Sequence, residues 1–270
     1  MLVKVVAVQA QMGEKLTLEE KIHIFKQRPD FVCLPEYYLI DASTTDYHRA
    51  ALNQPEQIEY LQRLSDELST CVVGGTVVEA DAGKLFNTAY VIDRGVLVGK
   101  YRKRYPVPGE LAKGISAGEE NLIVDVDSVR VGMMICGDVF YPHLYDELRA
   151  EHADIIFVPT TSLFRPDDSL SQKKYRDQKY FLSGATRAAS YVVKVCGVGE
   201  IFGRPLQGRT LIASPWGMLA QTSMYEESMR RILTATLDIG DLREFRRKMS
   251  ARTGAPPSGA TARSIRTVTR

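Results

Sequence analysis

No apolar run in this 270-residue chain approaches the roughly 20 residues needed to cross a bilayer, so no transmembrane helix is expected. The N-terminal stretch MLVKVVAVQAQ alternates apolar residues with Lys4 and Gln9 and lacks a small-residue cleavage site. It predicts a first strand rather than a signal peptide. Charge of one sign is also lacking. The 35 Lys and Arg against 33 Asp and Glu leave +2, which gives no electrostatic pull toward nucleic acid or a membrane surface. Cysteine is scarce: Cys33, Cys71, Cys136 and Cys196 lie far apart, and no two have metal-ligand or redox spacing. A reduced, cytoplasmic protein is the expectation. The histidines, His23, His48, His143 and His152, form no i,i+4 pair, so zinc chemistry has no motif to rest on.

What is present is an ordinary globular composition, 44% hydrophobic and 25% charged, in a chain long enough to bury a large core. Val/Ile-rich runs such as LVKVVAVQA (2–10), CVVGGTVV (71–78), RVGMMIC (130–136), DIIFVPT (154–160) and YVVKVCGV (191–198) read as strands covered on both faces. Helical patterns lie between them at 18–27, 55–69, 142–151, 169–189 and 240–249. The tripeptide Asp93-Arg94-Gly95 joins two strand patterns and reads as a hairpin turn. Strands joined partly by helices and partly by hairpins predict a mixed α/β fold with helix-covered sheets. Residues 1–252 read as one domain without an internal linker. The basic, Pro/Gly/Ser/Thr-rich end, 253–270, cannot form a core alone and is expected to be mobile unless packed on a partner subunit.

Three apolar strands each end by releasing one residue with catalytic potential. FVCLPEYY turns at Pro35 and presents Glu36; VLVGKYRKRY leaves through a basic cluster containing Lys103; RVGMMIC ends at Cys136. In helix-covered sheets, loops beyond the carboxyl ends of strands converge over a rigid platform. Taken singly, each residue also has an ordinary structural reading: a solvated loop carboxylate, a surface lysine and an inert core thiol.

The motifs LPEYY around Glu36, YRKRYPVPGE around Lys103 and ICGD followed by YP around Cys136 occur in that order. They are followed by ADIIFVPTTS (153–162), ATRAASYVVKV (185–195), GRTLIASPWGMLA (208–220) and LDIGDLREFRRK (237–248). From its first strand to about Arg247 the chain therefore resembles the nitrilase, or carbon–nitrogen hydrolase, superfamily. That resemblance implies a four-layer αββα sandwich with two mixed β-sheets. It implies Cys136 as nucleophile, Glu36 as general base, Lys103 as electrostatic stabiliser and Glu110 as an auxiliary carboxylate. It also implies a cofactor-free, metal-free enzyme acting on a small-molecule amide or nitrile, and self-association as a homodimer or higher homo-oligomer. Amidase, nitrilase, N-carbamoyl or ureido hydrolase and acyl transfer remain open within it; a non-catalytic binding relative is disfavoured by the intact Glu36, Lys103 and Cys136.

The chemistry explains why these residue types belong together. A free thiol has a pKa near ~8.5, and an adjacent cation such as Lys103 is expected to lower it toward neutrality. The same ammonium and the backbone N–H of Gly137 are candidate oxyanion donors. Tyr37, Phe140, Tyr141, Thr160 and Thr161 flank the strand ends and are candidate substrate contacts, suited to a small substrate of modest polarity. The sequence departs from the family pattern after the nucleophile. Phe140 stands where many relatives carry Arg, and His143 where they carry Glu; loss of both charges fits removal of a buried pair. His143 reads as a helix-start residue, and Asp138 as a residue that orders the nucleophile loop. The segment 187–193 also lacks the Glu and Asn found there in relatives.

Overall fold

The computed structural model describes residues 1–253, so the expectation for the basic tail falls, beyond its first residue, outside the described residues. The first half of the chain supplies β1 (Leu2–Gln11), β2 (Phe31–Cys33), β3 (Cys71–Asp81), β4 (Lys84–Asp93), β5 (Val96–Arg102) and the short β6 (Ile115–Ser116). The second half supplies β7 (Ile123–Val126), β8 (Val129–Met133), β9 (Ile155–Thr160), β10 (Tyr191–Val198), the small hairpin β11 (Glu200–Ile201) and β12 (Arg204–Pro205), then β13 (Leu211–Ser214) and β14 (Gly217–Gln221). A last strand, β15 (Arg231–Asp238), returns to run antiparallel to β1 from Leu2↔Asp238 to Gln9↔Arg231. The helices are α1 (Leu18–Gln27), α2 (Tyr47–Leu52), α3 (Gln54–Leu68), α4 (Pro108–Leu111), α5 (Pro142–Ala150), α6 (Leu170–Arg176), α7 (Ser183–Ala188) and α8 (Ile239–Thr253).

Two mixed sheets result. One has the order β5-β4-β3-β2-β1-β15, with β1, β2 and β3 parallel and hairpins at β3-β4-β5. The other has the order β7-β8-β9-β10-β13-β14, with β8, β9 and β10 parallel. Among the described residues they join only where the ends of β1 and β10 pair, at Ala10↔Gly197 and Gln11↔Val198.

The period of two in each strand decides which sheet face each residue covers. Val3, Val5 and Ala7 of β1, Phe31 and Cys33 of β2, and Val73 of β3 face Val131 and Met133 of β8, Ile155 and Phe157 of β9, and Val193 and Val195 of β10 in one sheet-on-sheet core. The alternate residues Val6, Val8, Val32 and Val72 instead pack under Ile24 of α1 and Leu61, Leu64 and Leu68 of α3. On the far side, Ile156, Val158 and Val192 pack under Leu144 and Leu148 of α5 and Ala185 and Ala188 of α7. Each fully buried Val or Leu contributes roughly 1.5–3 kcal/mol. Three apolar layers between helix, sheet, sheet and helix make the αββα sandwich.

Helix ends follow local chemistry. Thr17 caps α1 in a capping box with Glu20, and Arg28 ends it in the left-handed conformation. α8 is tied to the second sheet by buried Asp154, which accepts from Arg243 Nη2 at 2.6 Å and Arg246 Nη1 at 2.9 Å. The helix expected over 169–189 is helical throughout but not uniform. Between α6 and α7 the turn widens to π geometry over Asp177–Leu182.

Candidate active site

Glu36 reaches its position because the chain after β2 passes tightly over a bulge in β3, where the register shifts between Val73 and Thr76. Gly75 in that bulge has φ +68°, and a Cβ there would fall 1.9 Å from the Pro35 carbonyl oxygen, so only glycine lets the Pro35 turn sit down. The next residue, Glu36, is fully buried, and Tyr37 adopts φ +56° with its N–H donating to Thr76 Oγ1 at 2.9 Å. Lys103 follows β5 directly; its N–H donates to the Asn87 carbonyl of neighbouring β4 at 2.8 Å. Its side chain is 1% exposed.

The charged groups form one network. Lys103 Nζ lies 2.9 Å from Glu36 Oε1 and 2.7 Å from Glu110 Oε2. Asn87 Nδ2 donates to Glu36 Oε1 at 2.8 Å and to Glu110 Oε1 at 2.9 Å, bridging the two carboxylates. The other oxygen of Glu36 accepts from the Thr161 N–H at 2.7 Å and its hydroxyl at 2.5 Å. Glu110, in the first turn of α4, also accepts from the Tyr37 hydroxyl at 2.7 Å and the Val107 N–H at 2.8 Å. Burial opposes both charges. Even so, Glu36 and Glu110 hold the Lys103 ammonium well above the usual lysine range, and Lys103 with the Tyr37 and Val107 donors holds Glu110 below the usual carboxylate range.

Cys136 stands two residues beyond Met134, past the end of β8, and opens a 3₁₀ turn through Phe140. Its φ is +42°, a left-handed conformation that costs a non-glycine residue about 1–3 kcal/mol and persists only when the surroundings impose it. Asp138 imposes it. One oxygen accepts from the Ile135 N–H at 2.9 Å and the Tyr101 hydroxyl at 2.8 Å, the other from the Tyr105 N–H at 2.9 Å. Gly137 packs so closely that a Cβ would fall 2.7 Å from Val107 Cγ1. The Cys136 thiol donates to the Thr161 carbonyl at 3.4 Å.

The electrostatics differ from the expectation that Lys103 lowers this thiol. Burial, then the Glu36 charge, push the Cys136 thiol far above the ordinary range; Lys103 opposes this, Glu110 adds to it, and the net direction is upward. One ammonium facing two carboxylates leaves no surplus positive charge for a thiolate. This balance favours the neutral thiol in the resting site.

A cavity of about 360 Å³ opens onto Cys136, Lys103 and Glu110 and is walled also by Tyr37, Phe140, Thr160 and Thr161. Glu36 and Gly137 lie behind that wall rather than on it, Glu36 held against it through Lys103 and Thr161. Thr160 contributes surface only, since its hydroxyl donates to the Val158 carbonyl at 2.9 Å. Tyr141 is off this cavity wall; its ring stacks on Tyr105 at 3.7 Å. His143 lies in the first turn of α5, and its Nε2 is 2.9 Å from the Tyr105 hydroxyl. Phe140 is half-exposed and meets Tyr180 edge-on at 4.9 Å.

Sequence reasoning missed Asn87 and the basic part of the wall formed by Arg176, Lys194 and Arg209. A polar residue inside each apolar strand, Asn87 in FNTAYVID and Lys194 in YVVKVCGV, is the signal that marks both. Among the described residues, no three His, Cys, Asp or Glu side chains are grouped to hold a metal ion. None of the helices there is long and apolar enough to cross a membrane.

Comparison with known proteins agrees with this fold. The family model for carbon-nitrogen hydrolase matches residues 7–247. An omega-amidase of Xenopus laevis is 26% identical over 239 residues, covering 82% of this chain and 81% of that protein. A glutamine-dependent NAD(+) synthetase of Aquifex aeolicus is 27% identical over 252 residues, covering 87% of this chain and 41% of that protein. In structure, a carbon-nitrogen hydrolase from Helicobacter pylori superposes with a TM-score of 0.80 at 18% identity, over 94% of this chain and 96% of that one. The strand-end motifs, the αββα sandwich and the match over nearly the whole described chain lead to one assignment: the chain belongs to the carbon–nitrogen hydrolase family.

Proposed function

We propose that this protein hydrolyses the C–N bond of a small amide through a thioester on Cys136. The observation that carries the reading is the buried network in which Lys103 Nζ touches both Glu36 and Glu110 beside a cysteine held at φ +42° on a cavity wall. Amidase chemistry also fits the omega-amidase relatives, at about a quarter identity.

The neutral thiol fixes the order of events. As Sγ attacks the carbonyl carbon, Glu36 takes the thiol proton, so the sulfur gains its charge only in the transition state. The carbonyl oxygen gains negative charge near Lys103 and the Gly137 N–H, where a preorganised donor is worth about 3–4 kcal/mol. Glu36 then passes the proton to the nitrogen, the C–N bond breaks, and ammonia or an amine leaves the thioester. Water attacks the thioester next; Glu36 takes its proton and returns one to Sγ as the carboxylic acid departs. Glu110 and Asn87 hold Lys103 and Glu36 in register throughout.

The test is ammonia release from a panel of small amides and nitriles, with Cys136→Ala as control. Turnover of amides that vanishes in Cys136→Ala supports the reading. Equal turnover by the variant sinks it, and hydroxamate formed in added hydroxylamine reports acyl transfer.

A further inference from the structure

Glu36 has to take a proton from Cys136, yet its carboxylate has no open place for one. A carboxylate offers about four lone-pair sites. Oε1 of Glu36 accepts from Asn87 Nδ2 at 2.8 Å and from Lys103 Nζ at 2.9 Å. Oε2 accepts from the Thr161 N–H at 2.7 Å and from the Thr161 hydroxyl at 2.5 Å. A backbone N–H and a side-chain amide do not pass protons on at neutral pH. The Lys103 ammonium keeps its own, because it is the cation between Glu36 and Glu110. Of these donors the Thr161 hydroxyl is the one that both donates and accepts.

Thr161 also meets the other end of the transfer. It follows β9 directly, its carbonyl accepts from the Cys136 thiol at 3.4 Å, and both residues wall the cavity. One residue thus touches the source of the proton through its main chain and the destination through its side chain. The other hydroxyls placed on this wall are committed elsewhere. That of Thr160 donates to the Val158 carbonyl of its own strand, and that of Tyr37 donates to Glu110.

We propose that the Thr161 hydroxyl relays the proton between Cys136 and Glu36. As Sγ bonds to the carbonyl carbon and the C=O π pair moves onto oxygen, the thiol proton passes to Thr161 Oγ1. In the same motion the proton already on Oγ1 passes to Glu36 Oε2. The hydroxyl ends as it began, and Glu36 holds the proton that it later gives to the departing nitrogen. Because the two transfers are concerted, Thr161 never carries a charge. This deepens the hydrolase reading, rests on it for the attack on the amide, and makes Thr161 a catalytic residue rather than a brace for Glu36.

Iodoacetamide reads the same transfer without turnover, since a neutral thiol must also shed its proton to be alkylated. Peptide mapping follows Cys136 apart from the buried Cys33, Cys71 and Cys196. Thr161→Val keeps the backbone N–H to Glu36 and is expected to slow alkylation at pH 7 about 10²-fold, the scale of a general acid–base step, while Thr161→Ser stays within about five-fold of wild type. A hydroxyl that only braced Glu36 would give the same pattern, so rates in mixtures of H2O and D2O decide between them. Wild type and Thr161→Ser are expected to require a pair of protons in motion, and Thr161→Val a single one. The wild-type measurement needs no variant to fold. Slowed alkylation in Thr161→Val with this isotope pattern, but no ammonia released from any amide by the wild type, would sink the hydrolase reading and leave the relay standing. A single proton in motion in the wild type overturns the proposal. So does Thr161→Val alkylated as fast as wild type or faster, the result expected if emptying Oε2 let it take the thiol proton directly.

Discussion

Lys103 Nζ lies 2.9 Å from Glu36 Oε1, with both side chains 1% exposed, and the same ammonium lies 2.7 Å from Glu110. Breaking such a buried arrangement by removing one partner costs about 3–5 kcal/mol, because the remaining charges are left uncompensated. Lys103→Met is therefore expected to be destabilised by about that amount at pH 8. Protonation of Glu110, no longer held down by Lys103, relieves part of the stranded charge, so the deficit shrinks as the pH falls toward 5. Urea unfolding of both proteins across that range checks the sign.

In the wild type the same linkage runs the other way. Glu110 is held below the usual carboxylate value of 4.5, so its contribution is present above that pH and is lost as the pH falls through the lower folded value. Lys103 is held above 10.5, so its contribution is complete below that pH and is lost only as the pH rises through the higher folded value. Glu110→Gln is expected to flatten the acid limb of the stability profile, measured by urea unfolding between pH 3 and 7.

Asn87 is not itself on the cavity wall, yet its amide bridges Glu36 and Glu110. It is a positioning residue. Since misplacement of a reacting group by an ångström can cost about 10²-fold, Asn87→Ala is expected to lower kcat roughly ten- to hundred-fold and KM by less than about three-fold. Steady-state kinetics on any accepted amide separates this from a loss of substrate binding, which would raise KM.

The Gly137 position is fixed by close approach: a Cβ would meet Val107 Cγ1 at 2.7 Å. Gly137→Ala is expected to push the nucleophile turn out of place, destabilising the fold by about 1–3 kcal/mol as overpacking does and lowering kcat. Adding Val107→Ala vacates the contact and should restore a large part of both, as thermal unfolding and ammonia release would show.

The strand ends that carry Glu36, Lys103 and Cys136 were legible from the apolar runs before them, but grouping the three rested on the family resemblance, since each alone also read as a loop carboxylate, a surface lysine or a core thiol. The partners that hold them were not legible. Asn87 and Lys194 lie inside strands, and only the pairing of β4 with β5 and the widened turn at Asp177 put them at the site. The strand pattern of β1 was legible because Val3, Val5 and Ala7 alternate with Val6 and Val8 between two different apolar layers. The π segment within 169–189 was invisible, since a one-residue widening leaves the helical periodicity nearly intact. The state of the thiol also escaped the sequence. It depends on two carboxylates outweighing one lysine, a balance set by distances and burial.

The account turns on a neutral Cys136 that becomes a covalent nucleophile only with substrate in place. The direct measurement is intact-protein mass spectrometry after rapid acid quench during amide turnover, with the adduct located by peptide mapping. The expected result is a mass increase equal to the acyl group on Cys136, while the thiolate absorbance of the free enzyme, taken against Cys136→Ser, stays absent up to about pH 9. Ammonia release without any adduct on Cys136, or a resting thiolate already present at neutral pH, would contradict it.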